Sequence, residues 1–320
     1  MVQLGSMDVA AVCRPTRRPR FQRAAVPPAF RLTDNDVEIV RVVARHRLIR
    51  STHIAALVGR SIDRTNDRLM RLFHAGYVDR PRAQLDYYPT AGSAPMVYAL
   101  ANRGMRLLRE WDGVEFRSAA VSRSRRQAGR PFIEHQIEIV NFQVALEQAV
   151  RERGDLRLIP ADDMIASFLE PAGRHPFALR VTLSHRGGAR AACVIPDFVF
   201  ALQLANGARR NFMVEIDRGT MPVIRSDPRQ TSFGRKMRVY LAAHAAEQHR
   251  RQFGWKNFRV LVVTTDQPRL SSMIDALGDL RMPRSAAPSL FLFTTFGALG
   301  EVSPIDRHWL DGSRRPADLI

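Results

Sequence analysis

Residues 193–217 read Cys193-Val-Ile-Pro-Asp-Phe-Val-Phe-Ala-Leu-Gln-Leu-Ala-Asn-Gly-Ala-Arg-Arg-Asn-Phe-Met-Val-Glu-Ile-Asp217. Two strand-like runs flank an Asn-Gly turn signal at Asn206-Gly207. The first run opens on Pro196-Asp197 and the second closes on Glu215-Ile216-Asp217. Carboxylates at the ends of apolar strands are costly to bury unless they are paired or bind a cation. The alternation of side chains decides whether the three converge. A two-residue loop sets Asp197 opposite Ile216 and turns it away from the other acids. A three-residue loop, Asn206-Gly207-Ala208 with the glycine left-handed, sets Asp197 opposite Asp217 and Val199 opposite Glu215. Only this second register gathers Phe198, Phe200 and Leu202 with Phe212, Val214 and Ile216 on one apolar face, and a one-residue slip would flip every side chain. The pattern therefore predicts the three-residue loop and three clustered carboxylates, a candidate metal site.

Working outward, 320 residues allow one large domain or two smaller ones. A hydrophobic share of 45% and a charged share of 25% are ordinary for a soluble globular protein, so composition argues against a disordered or fibrous chain. The longest apolar run, near residues 289–299, falls short of the roughly 18 residues of a membrane span, and no signal core follows the N-terminus. Cys13 and Cys193 are the only cysteines, which excludes a disulfide framework and a cysteine zinc site and fits a cytoplasmic protein. Net charge is +18 and uneven: residues 1–130 hold 24 arginines against 11 acids, so the front half carries most of it. A basic front half predicts a polyanion partner, double-stranded DNA first and a membrane surface a poor second. Only Lys236 and Lys256 among the 49 basic residues are lysines, so each has a specific place to explain.

Residues 1–30 are rich in Arg, Pro and Ala without periodicity and read as a flexible basic arm, with Met7 a second candidate start. Thr33 or Asp34 caps a helix carrying Val37, Ile39, Val40 and Val43. A second helix spans 51–58. A third, capped by Ser61, runs to His74 and is expected to bury Ile62, Leu69, Leu72 and Phe73, with Gly76 ending it. A strand pair around a Pro/Gly-rich loop and a further helix at 102–111 follow. Three helices and a hairpin over residues 31–112 are the winged helix-turn-helix order, with the third helix as reader. Arg64, Arg68 and Arg71 share a face by their spacing, Ser61 and Thr65 lie near its start, and Arg80 and Arg82 belong to the wing. These seven are the expected DNA contacts. The competing reading is a solvated face, since Asp63 and Asp67 are interleaved.

Residues 113–130 read as an Arg/Ser/Gly-rich linker, residues 131–300 as a second domain and 301–320 as a tail. A long helix at 132–151 carries Glu134, His135 and Glu138 near its start and turns Ile133, Ile137, Val140 and Val144 inward. Strands are expected at 156–159, 177–183, 194–203, 210–217, 257–265 and 289–295, and helices at 232–251 and 269–280. Helix, strands, helix and strand make an α/β (α+β) layer arrangement with a mixed central sheet. No phosphate-binding Gly-x-x-x-x-Gly-Lys loop and no Gly-x-Ser-x-Gly elbow occurs, which argues against an NTPase motor and a serine hydrolase.

The order of these elements, with Ile195-Pro196-Asp197-Phe198 and Val214-Glu215-Ile216-Asp217, resembles the restriction-endonuclease-like core of PD-(D/E)XK nucleases. Together with the winged helix, residues 31–280 look like the replication-relaxation family of plasmid and mobile-element proteins. The stretches LTDNDVEIVRVVARHRLIRSTHIAAL, RLMRLFHAGYVDR, VYALANRGMRLL, EHQIEIVNF, IPDF, VEIDRGT and KMRVYLAAH carry that likeness. The resemblance implies that Asp197 and Glu215 are metal-binding acids, with Glu134 a further ligand from the helix. Asp217 stands where the nuclease pattern usually has lysine, and Lys236 on the following helix is placed to take over that role. Mg²⁺ or Mn²⁺ is the expected ion, since hard cations prefer carboxylate oxygens. His135 is an alternative base, and Tyr240 a packing residue rather than a covalent nucleophile. The implied function is DNA binding in plasmid or mobile-element replication or relaxation, with metal-dependent nicking by Asp197, Glu215, Asp217 and Lys236. The alternative is a non-cleaving replication or transfer accessory factor, or a transcriptional regulator, built on a degenerate nuclease fold. Replication or transfer proteins and a second copy in a homodimer are the further partners to expect.

Overall fold

The computed structural model describes residues 20–84, 94–113, 129–166, 168, 173, 175–185, 188–227, 230–280 and 287–320. The fold is α+β, and the chain forms two compact units, Met1–Arg130 and Pro131–Ile320.

In the first unit, α1 (Asp34–Arg45), α2 (Ser51–Val58) and α3 (Ile62–His74) fall where the periodicity placed them. Thr33 and Asp36 form a reciprocal capping box at the start of α1, and Gly59 ends α2 in the left-handed conformation at φ +66°. Between α1 and α2 lies β1 (Leu48–Arg50), too short to carry a periodic signal. It pairs antiparallel with β3 (Val97–Leu100), which also pairs with β2 (Val78–Asp79). The loop between β2 and β3 lies partly outside the described residues. α4 (Asn102–Asp112) follows.

The second unit is built on a seven-stranded sheet. α5 (Arg130–Glu152) leads to β4 (Leu156–Pro160). β5 (Leu179–His185) and β6 (Gly188–Val194) make a separate two-stranded sheet. β7 (Phe198–Leu204) and β8 (Arg209–Ile216) form the hairpin, followed by α6 (Phe233–Ala245), β9 (Arg259–Thr264), α7 (Gln267–Gly278) and β10 (Phe291–Thr295). The expected strand at 194–203 corresponds to β7, which starts only at Phe198, and β6 before it was not expected. Pro196 has no N–H for a ladder, and the chain breaks around it. The expected helix at 232–251 likewise divides, with a separate turn at Gln248–Phe253.

Residues 301–320 are not a tail. β11 (Trp309–Asp311) and β12 (Pro316–Ala317) extend the sheet beyond β10, and Trp309 and Leu319 are buried. Along the sheet the order is β12-β11-β10-β9-β8-β7-β4, parallel only at β8–β9 and β9–β10.

Alternation gives the sheet two apolar faces. Phe200, Leu202, Phe212, Val214, Leu261 and Leu292 pack against Ile139, Phe142 and Leu146 of α5. Val199, Met213, Val260, Val262 and Phe293 pack on the other face with Met237 and Leu241 of α6 and Leu270, Met273 and Ile274 of α7.

The hairpin register corrects the expectation. Phe198 lies opposite Val214 and Phe200 opposite Phe212, so Asp197 comes opposite Glu215 instead of Asp217. The loop has three residues, as expected, but they are Ala205, Asn206 and Gly207, closed by the amide of Leu204 on the Ala208 carbonyl at 2.9 Å. Gly207, at φ +79°, takes the last loop place, the left-handed position that completes such a turn. Moving the loop one residue toward the N-terminus slides the pairing by two. A slip of two preserves side-chain facing, so the apolar face and the acid face are those the pattern selected.

Candidate functional site

The acids of the second unit lie on the face of the sheet covered by α6 and α7. Met213, Glu215 and Asp217 alternate with Phe212, Val214 and Ile216, and this parity carries the two carboxylates to the end of β8 on one side. Asp197 enters from just before β7. The main-chain amide of Ile216 donates to its Oδ2 at 2.9 Å, and His135 Nε2 on α5 lies 3.1 Å from its Oδ1.

Glu215 is only 1% exposed, and two residues of α6 reach it. Lys236 Nζ donates to Oε2 at 2.6 Å and the Tyr240 hydroxyl to Oε1 at 2.6 Å. Their spacing of four puts both on one helix face. Tyr240, expected to pack, does so, and its hydroxyl also serves the acid. Burial pushes the Glu215 carboxyl above the usual range; Lys236 opposes this and the charge of Asp197 adds to it. Burial also works against the Lys236 ammonium, yet the carboxylates of Glu215, Asp197 and Asp217 prevail and raise it. Burial and the Glu215 charge raise the Tyr240 phenol well above its ordinary value, so it remains a donor.

Asp217 is held differently. Arg269 on α7 grips it with two nitrogens, Nη2 at 2.8 Å from Oδ1 and Nε on Oδ2, and Thr264 donates to Oδ2 at 2.7 Å. Sequence reading missed both partners; Arg269 is 52 positions away. Glu134 pairs with Arg218. Lys236 is therefore bound to Glu215, and Asp197 lies near enough for its charge to act on both, while Asp217 and Glu134 are each tied to an arginine. Among the described residues no group of three histidine, cysteine or acidic side chains is placed to hold a metal ion.

A divalent cation can be tested against these side chains. Asp197 and Glu215 are the better pair: Asp197, just before β7, comes opposite Glu215 when the register is continued by one residue, and its charge works against ionisation of Glu215, a repulsion that a cation would relieve. Asp217 fits less well, because a guanidinium holds both its oxygens, whereas Glu215 has a cation on one oxygen and Asp197 on neither, counting histidine as neutral.

In the first unit, Ser61, Arg64 and Arg82 are exposed. Thr65 differs from the expectation: it is wholly buried and its hydroxyl donates back to the Ser61 carbonyl at 3.0 Å. Position 65 precedes Leu69 and Leu72 by four and seven, which puts it in the core stripe. Arg68, one turn from both Thr65 and Leu72, flanks that stripe. Its Nε donates to Asp36 Oδ1 at 2.7 Å, its Nη2 reaches Oδ2, and the guanidinium lies over the Phe30 ring. Burial opposes the Asp36 charge, but Arg68 and Thr33 hold its carboxyl below the usual range. Arg71 pairs with Asp67 one turn away. Arg80 lies over Phe73 and Tyr98 and donates to the Tyr98 hydroxyl at 3.1 Å. Ile62, expected inside, is 37% exposed in the first turn of α3.

The pattern of one protein family, described as replication-relaxation, matches residues 40–256, more than half of the chain. No curated protein and no solved structure matches. The matched span runs from α1 past α6 and so takes in Asp197, Glu215 and Lys236, while Thr264 and Arg269 lie beyond it. Among the described residues no helix is long and apolar enough to cross a membrane.

Proposed function

The chain belongs to the replication-relaxation family, and from that premise we propose that it binds double-stranded DNA through its first unit and nicks it at a PD-(D/E)XK-like site in its second. Membership points to a role in plasmid or mobile-element replication or relaxation. The observation that carries the finer reading is the contact of Lys236 with Glu215 beside Asp197. In a chain that uses arginine almost everywhere, a lysine stands at the acid pair, where a compact point charge is wanted. In this reading the first unit acts as a winged helix: the exposed Arg64 and Ser61 of α3 meet the groove, and Arg82 meets the backbone. Thr65, Arg68 and Arg80 support the fold instead.

Asp197 and Glu215 would hold Mg²⁺ or Mn²⁺. Such an ion supplies charge neutralisation at the scissile phosphate and an acidified water. Lys236 keeps its proton and places positive charge beside the phosphate, while Tyr240 fixes the second oxygen of Glu215 so that the carboxylate cannot rotate away. Arg269 holds Asp217 as part of the scaffold.

A second reading, a non-cleaving factor of the same family, is favoured by one feature. Each oxygen of Asp197, Glu215 and Asp217 already has a partner within the protein. Supercoiled plasmid bearing the cognate origin decides between the two. Nicking with Mg²⁺ or Mn²⁺ that Asp197→Ala and Glu215→Ala abolish, and Lys236→Ala slows severely, supports the site. An intact plasmid with either metal, together with a melting temperature that metal leaves unmoved, establishes the non-cleaving reading.

A further inference from the structure

At the opposite end of β8 and β9 from the acids lies a cavity of about 700 Å³. Arg209, Arg210, Lys256 and Arg259 line it, together with the edges of the nearly buried Trp255 and Phe258. From Arg210 to Glu215 is roughly 17 Å along β8, at about 3.3 Å per residue, so the cavity is distinct from the acid site.

Among the described residues no carboxylate is paired with these charges. Arg209 Nε donates to the Asn211 amide oxygen at 3.1 Å. Arg210 Nη1 reaches the Leu319 carbonyl at 3.4 Å, and Arg259 Nη1 the Asp318 carbonyl at 2.7 Å. Arg157, on β4, donates to Gln203 at 3.1 Å. All four acceptors are neutral; elsewhere in the unit Arg153, Arg218, Arg250, Arg269 and Arg314 each pair with an acid, while Arg238 and Arg307 also donate to neutral oxygens. Burial lowers the pKa of Arg209 and of Arg259, and a neighbouring arginine lowers each further. Arg259 is half-buried, and Arg209, Arg210 and Lys256 are exposed around it. Like charges gathered without a counter-ion repel one another, and a ligand that brings the opposite charge relieves that repulsion. The Trp255 indole N–H, which is buried, also has no partner among the described residues.

We propose that this cavity is a nucleoside-phosphate site, with Arg209, Arg210, Lys256 and Arg259 on the phosphate and the nucleoside against the surface of Trp255 and Phe258. Phosphate suits a cluster of guanidinium forks with one ammonium. A bare anion would leave the apolar lining without a role, and the volume lies within the range of small-molecule pockets. The nucleoside phosphate comes either as a free nucleotide or as one unit of a single strand. The site needs no divalent metal and stands apart from the nicking reading.

The test uses the full chain in EDTA, so that failure of the metal site does not affect it. Isothermal titration with dATP, with inorganic triphosphate and with a short oligo-dT separates the sources. We expect saturable binding of dATP, of oligo-dT, or of both, weakened by at least about tenfold in Arg210→Glu and in Lys256→Glu. Both variants change rim residues that are exposed, and an unchanged melting temperature confirms their fold. Loss of dATP binding identifies a free nucleotide, and loss confined to oligo-dT identifies a strand. Three results overturn the proposal: no saturable binding of either ligand, binding that both variants leave unchanged, or inorganic triphosphate binding as tightly as dATP.

Discussion

Replacing Lys236 by Met removes the ammonium that faces Glu215 at 2.6 Å and leaves a side chain of similar length. Glu215 then keeps only the Tyr240 hydroxyl, in a place where it is 1% exposed. Removing one partner of a buried pair typically costs about 3–5 kcal/mol. Lys236 itself retains 27% exposure, so water shares in its charge; with the Tyr240 bond intact, a loss of about 2–3 kcal/mol is expected near pH 8. The pH dependence follows from the same group. The folded-state carboxyl of Glu215 is raised above its ordinary 4.5, and loss of the lysine raises it further. An acid raised on folding contributes fully below its unfolded value, and that contribution is lost as pH climbs through the folded one. The penalty should therefore be small near about pH 4.5, where Glu215 can take a proton, and largest in alkali. Glu215→Gln placed on top of Lys236→Met should recover most of the loss, since no charge is then buried. Urea unfolding followed through Trp255 and Trp309, both buried in the second unit, reads the relevant transition. A penalty equal at the two pH values, or a double variant as weak as the single, would refute the claim that Glu215 is buried as a charge.

Three further outcomes concern the first unit. Arg68→Ala should lower its stability by about 3–5 kcal/mol, because Asp36 is wholly buried, whereas Arg64→Ala should leave melting unchanged and weaken binding to a specific DNA site by about 1–3 kcal/mol; anisotropy that shows no change for Arg64→Ala removes α3 as the reader. His53 is pushed down to about 4 by burial, with Arg50 and His46 adding to it. A histidine depressed on folding takes up protons on unfolding, so stability complete above about pH 6.5 is lost as pH falls toward about 4. Thermal melts across that window should slope downward with acid in the native chain and flatten in His53→Gln, and equal slopes would exclude His53 as the cause.

How much of this could be read beforehand varies with the range of the interaction. Helices α1 to α3 were legible because their apolar spacing and caps are local. The two faces of the hairpin were legible because period two survives any slip of two residues. The register was not, since it hung on which loop place Gly207 takes, and turn geometry settles that more than hydrophobicity does. β6 was missed because most of its residues are exposed, leaving little alternation to see. β11 and β12 have three and two residues, too few for any period, yet Trp309 packs against Phe142 with ring centroids 6.4 Å apart. Thr65 could have been placed correctly by continuing the Leu69 and Leu72 stripe one turn back. Arg68 could not, because its partner Asp36 lies 32 positions away.

The same distance dependence explains why the acids were visible while their charge balance was not. Each acid at the end of β8 takes a cation from a later helix, Glu215 from Lys236 and Asp217 from Arg269, and Glu134 takes Arg218. Among the described residues Asp197 has no lysine or arginine, only the imidazole of His135 and one main-chain amide. With histidine counted as neutral, the cluster keeps one negative charge, and it resides on Asp197. A cluster serving the fold alone would be expected to neutralise itself, since uncompensated charge is costly to keep from water. The surplus also falls on the most open of the three, for the Asp197 side chain is 16% exposed against 1% for Glu215 and 5% for Asp217. A cation or a phosphate-bound ion arriving from solvent would meet Asp197 first, with Glu215 behind it and Lys236 alongside. Asp197→Ala therefore separates chemistry from folding better than Glu215→Ala, which removes a buried partner of both Lys236 and Tyr240 and disturbs the scaffold together with the site.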